Sequence, residues 1–150
     1  MPGIVKAVCP RNRDVRSVRL VINDRLIEPN SLEIDSGRFS VDVRIPWYRA
    51  VPASCIHDVT VRVDGQTAAP DAMRFELNGR ERQLAELPDL VDEPWFTTDS
   101  LTVTGDLDIE PAAEHDVFVN LKLYIPYIVT AHGVLLIDES LETKMTGAAR

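Results

Sequence analysis

The sequence predicts an all-β fold, an antiparallel β-sandwich or jelly-roll-like single domain. Three observations predict it. Apolar residues recur with a two-residue period, the spacing of a half-buried strand. Turn dipeptides separate these runs. The ten prolines and seven glycines fall mostly between them. A chain of 150 residues is most simply one domain, able to bury roughly 68–70% of the surface its unfolded form exposes. That architecture is the one expected of many short strands with Gly/Pro-rich turns.

The elements follow in order. Residues 1–22 read as an N-terminal extension: Arg11-Asn12-Arg13-Asp14 is turn-like, and Val18 to Ile22 has the character of an added edge strand. The sandwich domain is expected over residues 23–145. Phe39, Val41, Val43 and Ile45 alternate with Ser40, Asp42 and Arg44, and Val59, Val61 and Val63 alternate with Asp58, Thr60 and Arg62. Asp64-Gly65 then marks a turn. Met73 to Leu77, Asn78-Gly79 and Arg80 to Leu84 form the strongest hairpin signal, because Asn-Gly accepts the positive φ angles of a two-residue turn. A short helical turn is expected around Leu84 to Leu90, closed by Pro88. Leu101 to Thr104 reads as a strand. The longest alternation sets Val117, Val119, Leu121, Leu123 and Ile125 against Phe118, Asn120, Lys122 and Tyr124. Val134 to Ile137 is continuously apolar, as in a central strand or one covered on both faces. Residues 146–150 read as a flexible tail.

Composition excludes several functions. Sixteen basic against 24 acidic residues give a net charge of −8, the wrong sign for nucleic acid or an anionic membrane surface. No apolar run has the length of a signal-peptide core or a membrane-spanning helix, so a cytoplasmic protein is expected. Cys9 and Cys55 are isolated and, in a reducing compartment, are expected as free thiols. The three histidines, His57, His115 and His132, lack metal-ligand spacing. His57 and His115 read as solvent-facing or capping residues, whereas His132, in a loop before Gly133, is a better functional candidate. The alternating Asp106, Asp108 and Glu110 read as a solvated loop. No nucleophile elbow, phosphate-binding loop or dinucleotide motif is present. No catalytic residue and no metal ligand is therefore assigned.

One segment stands apart. Arg44-Ile45-Pro46-Trp47-Tyr48-Arg49 ends a strand, Pro52, Ser54, Cys55 and Ile56 follow, and a second strand closes in Val63-Asp64-Gly65. This order resembles the signature of the small (β) subunit of bacterial C-glycoside deglycosidases. Phe75-Glu76-Leu77-Asn78-Gly79 and Leu87 are similar to that family's next hairpin. Glu93-Pro94-Trp95-Phe96 is similar to its aromatic segment, and Glu114 to Tyr127 to its late strand. The resemblance spans about residues 26 to 145. Departures are Ala50, where glycine or serine is usual, and Val51 and Ala53, where leucines are usual.

The resemblance implies a β-sandwich subunit paired with a larger TIM-barrel α subunit that carries a divalent metal, typically manganese, and the acid–base residues. The complex would cleave the carbon–carbon bond between a 3-keto sugar and an aromatic, flavonoid-like aglycone. This chain would need no cofactor of its own. Its expected contacts with partner or shared substrate are Trp47, Tyr48, Arg49, Pro52, Trp95, Phe96, Tyr127 and His132, residue types and loop contexts enriched at interfaces. The alternative is a free-standing carbohydrate-binding module that stacks sugars on Trp47 and Trp95. Cys55 reads as a small buried hydrophobe.

Overall fold

The structure, a computed structural model, describes residues 17–18, 25–111 and 113–149. It is an all-β domain of two antiparallel sheets, as the alternation predicts. The first sheet is ordered β1 (Ser17–Val18), β12 (Gly133–Thr146), β11 (Glu114–Thr130), β5 (Ile56–Val63) and β6 (Gln66–Thr67). The second is ordered β13 (Ala148–Ala149), β2 (Glu33–Asp35), β3 (Arg38–Arg44), β10 (Ser100–Asp106), β7 (Arg74–Leu77) and β8 (Arg80–Gln83). A third ladder joins β4 (Val51–Pro52) to β9 (Pro94–Trp95). Pairing is antiparallel except at two edges, where β1 runs parallel to β12 and β13 parallel to β2. Apart from Ser17–Val18, the predicted N-terminal extension lies outside the described residues. The predicted C-terminal tail carries β13, and Gly147 before it is buried.

The core lies between the sheets and is built from the alternating positions. Val41, Val43, Phe75, Leu101 and Val103 from one sheet, and Val61, Val63, Val117, Val119 and Leu121 from the other, belong to one buried cluster. Burying each such side chain contributes about 1.5–3 kcal/mol. Three hairpins turn through paired positive-φ residues: Ser36 and Gly37, Asp64 and Gly65, and Asn78 and Gly79. This is the backbone of type I′ turns, whose twist matches that of the flanking strands. The short helical turn is a 3-10 helix, Leu84–Asp89, opened by a capping box between Gln83 and Glu86.

Two expectations are corrected here. Cys55 is buried as expected but is disulfide-bonded rather than a free thiol; Cys9 lies outside the described residues. His115 is not solvent-facing. It is buried at the start of β11 between the Asp64 carboxylate and the Glu110 carbonyl.

Irregularities gather at one end of the first sheet. Between the pairs Lys122↔Asp58 and Leu123↔Ile56, the register of β5 against β11 shifts by one residue at His57. Further on, Ile125 pairs with Leu135 and Val129 with Val134, leaving Pro126, Tyr127 and Ile128 unmatched on β12. Such bulges bend a strand and redirect its side chains. Pro126 suits the position because it has no N–H to give to the ladder.

Candidate functional site

The loop from Pro46 to Ala50 joins β3 to β4 at this bulged end. Pro46 fixes φ and removes a donor, and the ladder stops at Arg44. Arg44 then works sideways. Its guanidinium donates to the carbonyls of Thr97 and Thr98 at 3.1 and 3.3 Å and lies 3.6 Å from the Glu28 carboxylate. This fixes the segment that follows Phe96.

Trp47 is half-buried against the core, and its indole N–H donates to the Tyr127 hydroxyl. The Trp47 and Tyr48 rings lie 4.8 Å apart, tilted by 36°. The Arg49 guanidinium sits over the Tyr127 ring, 5.2 Å from its centroid. Trp47, Tyr48, Arg49 and Tyr127 therefore form one cluster. It leaves Tyr48 68% and Tyr127 46% exposed, with Val129 beyond it at 75%. Exposed aromatic and arginine side chains in contact are the composition of interface hot spots.

The remaining candidates sit apart. Pro52 is half-buried in β4, where it pairs with Pro94 across the small ladder. It borders a shallow cavity of about 230 Å³ shared with Ala50, Val51, Val91, Asp92 and Pro94. Phe96 leaves that ladder 48% exposed. His132 is exposed at the tip of the β11–β12 hairpin, its backbone N–H donating to the Thr130 hydroxyl.

Trp95 needs correcting as a surface residue. It is fully buried, pairs with Val51, and gives its indole N–H to the Asp99 carbonyl at 3.1 Å. It offers no face to a sugar or a partner, so the two-tryptophan platform of a carbohydrate-binding module does not exist in this fold. Its role is to anchor the segment from which Phe96 projects.

That segment is also held electrostatically. The Asn78 amide donates to the Glu93 carboxylate at 2.9 Å and to the Pro94 carbonyl at 2.8 Å, and Arg82 approaches Glu93 to 2.9 Å. These contacts, the Asn78 hydrogen bond foremost, hold the Glu93 carboxyl below its usual range. The turn residue that makes the β7–β8 hairpin thus also fixes the strand before Phe96.

Sequence reasoning missed two features of this end. Val129 falls beyond the alternating run and carries no signal of its own. The edge-on contact of His57 with the buried Tyr124, at 5.3 Å between centroids, follows from the β5 bulge. As for metals, the described residues contain no group of three His, Cys, Asp or Glu side chains placed to hold an ion. No helix among them is long and apolar enough to cross a membrane.

The family profile described as C-glycoside deglycosidase beta subunit matches residues 19–127. A C-glycoside deglycosidase beta subunit of Microbacterium trichothecenolyticum is 48% identical over 130 residues, covering 86% of this chain and 99% of the relative. One from Arthrobacter globiformis is 49% identical, covering 79% of this chain and 92% of the relative. A 3'-dehydrocarminate deglycosidase beta subunit from a Microbacterium species is 34% identical, covering 83% and 95%. With the profile and full-length relatives in agreement, the chain belongs to the C-glycoside deglycosidase beta subunit family.

Proposed function

We propose that this chain is the accessory subunit of a heteromeric enzyme that cleaves the carbon–carbon bond joining a 3-keto sugar to an aromatic, flavonoid-like aglycone. The observation that carries the reading is the exposed cluster of Tyr48, Arg49 and Tyr127, braced by Trp47, in a family whose members are named as subunits. A surface of this composition at one end of a sandwich is suited to docking.

The partner in this reading is a larger TIM-barrel subunit that holds the acid–base residues. The ketone acidifies the neighbouring carbon–hydrogen bond. A base takes that proton, and the electron pair released forms a double bond to the anomeric carbon as the carbon–aryl bond breaks. The aryl carbon takes up a proton, so the cleavage is a lyase-type elimination with no net change in proton count. A divalent metal, typically manganese, would belong to the partner and supply charge stabilisation at the ketone oxygen. The residues of this chain support the geometry of the complex, brace its docking face and leave the chemistry to the larger subunit.

The test is reconstitution. Purified alone, the chain should not turn over a 3-keto C-glycoside. Mixed with the larger subunit it should restore cleavage, and a chelator should abolish it. Full activity of either chain purified separately would overturn the proposal.

The same reading puts the complex in the cytoplasm. The disulfide at Cys55 weighs against a reducing compartment. Because Cys55 is fully buried, the test is thiol titration of the chain unfolded without reductant: two free thiols are expected in a cytoplasmic protein, and none would overturn that assignment and confirm the disulfide.

A further inference from the structure

We infer that the three-residue bulge in β11 exists to present Tyr127 to the partner subunit, and that Trp47 and Arg49 are positioning residues that lock it in place. This rests on the docking face proposed above and divides its labour. A regular ladder would carry the alternation of β11 straight through Ile125. Instead, three residues stand unmatched between the pairs Ile125↔Leu135 and Val129↔Val134. The middle one is Tyr127, and the proline before it denies the ladder a donor.

The redirected ring meets two groups from a loop 80 residues away in sequence. The Trp47 indole N–H donates to its hydroxyl, and the Arg49 guanidinium covers one face. Trp47 is itself fixed by packing on the core, and Arg49 follows it in the same loop. What remains outward is the other side of Tyr127 together with Tyr48, 46% and 68% exposed.

Holding an aromatic side chain before binding removes the entropy cost of fixing it on contact, about 0.5–1.5 kcal/mol per side chain. The bulge aims, the loop clamps, and Tyr48 with Tyr127 makes contact. The occupant is the larger subunit of the reading above, since the relatives that this chain matches over most of their length are named as beta subunits, a name that implies a second kind of subunit.

A double-mutant cycle on affinity for the purified larger subunit tests this. Trp47→Phe and Tyr127→Phe each keep a ring and each remove the same hydrogen bond. Each is expected to weaken binding roughly 3- to 10-fold, the range for one hydrogen bond, while the free chain stays folded with a melting temperature lowered by only about 2–6 °C. The double variant should bind as each single one does, since one bond is lost once. Arg49→Met should weaken binding roughly 2- to 5-fold, with partial recovery in Arg49→Lys.

Multiplying losses in the double variant, or affinities equal to the unmodified chain throughout, would overturn the clamp while leaving the subunit reading intact. Failure of the unmodified chain to bind the larger subunit would overturn both. A chain that forms a homodimer dispersed by Tyr127→Ala would reassign the face to a second copy and overturn the inference.

Discussion

Asp64 occupies the first central position of the turn between β5 and β6, at a φ of 50° that few non-glycine residues adopt. Its carboxylate explains why aspartate is used there. One oxygen accepts the Asp116 N–H at 2.8 Å, and the other meets His115 Nδ1 at 2.5 Å. The second ring nitrogen faces the Glu110 carbonyl at 2.6 Å. A carbonyl and a carboxylate both accept, so the doubly protonated imidazolium satisfies both contacts. The Asp64 hydrogen bond is the main reason the His115 pKa is raised, against the opposing effect of burial. The same bond is the main reason the Asp64 pKa is lowered, with the Asp116 N–H and, more weakly, Lys144 adding to it.

The signs fix a window. The His115 contribution is fully present below the ordinary value of 6.5 and is lost as pH rises through its raised folded value. The Asp64 contribution is present above 3.8 and is lost as pH falls through its depressed folded value. The pair therefore favours the fold between these limits. The urea midpoint should be higher near about pH 5.5 than near about pH 8.5, and His115→Gln should flatten that difference. An unchanged pH dependence in the variant would assign it to other groups. Asp64-Gly65 was legible as a turn, but His115 was not legible as its partner. The two are 51 residues apart and nothing local joins them.

Strands were the legible elements and their interruptions were not. The alternation in Val59 to Val63 and Val117 to Ile125 marks an apolar face directly, because a two-residue period has one structural meaning. The bulge after Ile125 depends on how many residues β12 sets opposite, which no local pattern encodes. The same holds for Trp95. Asp92-Glu93-Pro94 reads as a loop, yet pairing with Val51 draws the tryptophan beneath the surface.

Two glycines test element packing in different ways. A Cβ on Gly105 of β10 would meet Phe39 ring atoms at 2.7 and 3.0 Å. Gly105→Ala should cost about 1–3 kcal/mol by overpacking. Gly79 has nothing near its missing Cβ, but its φ is 79°. Gly79→Ala should cost about 1 kcal/mol through backbone strain alone. Urea denaturation measures both. A neutral Gly105→Ala would mean that Phe39 shifts freely, and a neutral Gly79→Ala would mean that the turn relaxes to another type.

At the scale of the molecule, the two ends of the first sheet differ in chemistry. The end with Asp64 and His115 is polar, internally paired and closed. The other is bulged in two adjacent strands and exposes Tyr48, Tyr127 and Val129. Composition and period alone reach the all-β class and the lack of local catalytic motifs. The signature from Arg44 to Gly65 reaches the family. The structure then distributes its pieces: Arg44 braces the Phe96 segment, Trp47 bonds Tyr127, Cys55 lies in the core and Asp64 holds the far turn. How the loop and the β11 bulge meet was beyond the sequence, because it depends on the register of two strands distant along the chain.

Hydrogen–deuterium exchange of this chain, free and mixed with the larger subunit, tests the central claim most directly. The account predicts added protection concentrated in residues 46–50 and 126–132, with the 64–65 turn and the start of β11 unchanged. Protection confined to the β7–β8 edge or to the His115 end, with the aromatic end exchanging as in the free chain, would contradict it.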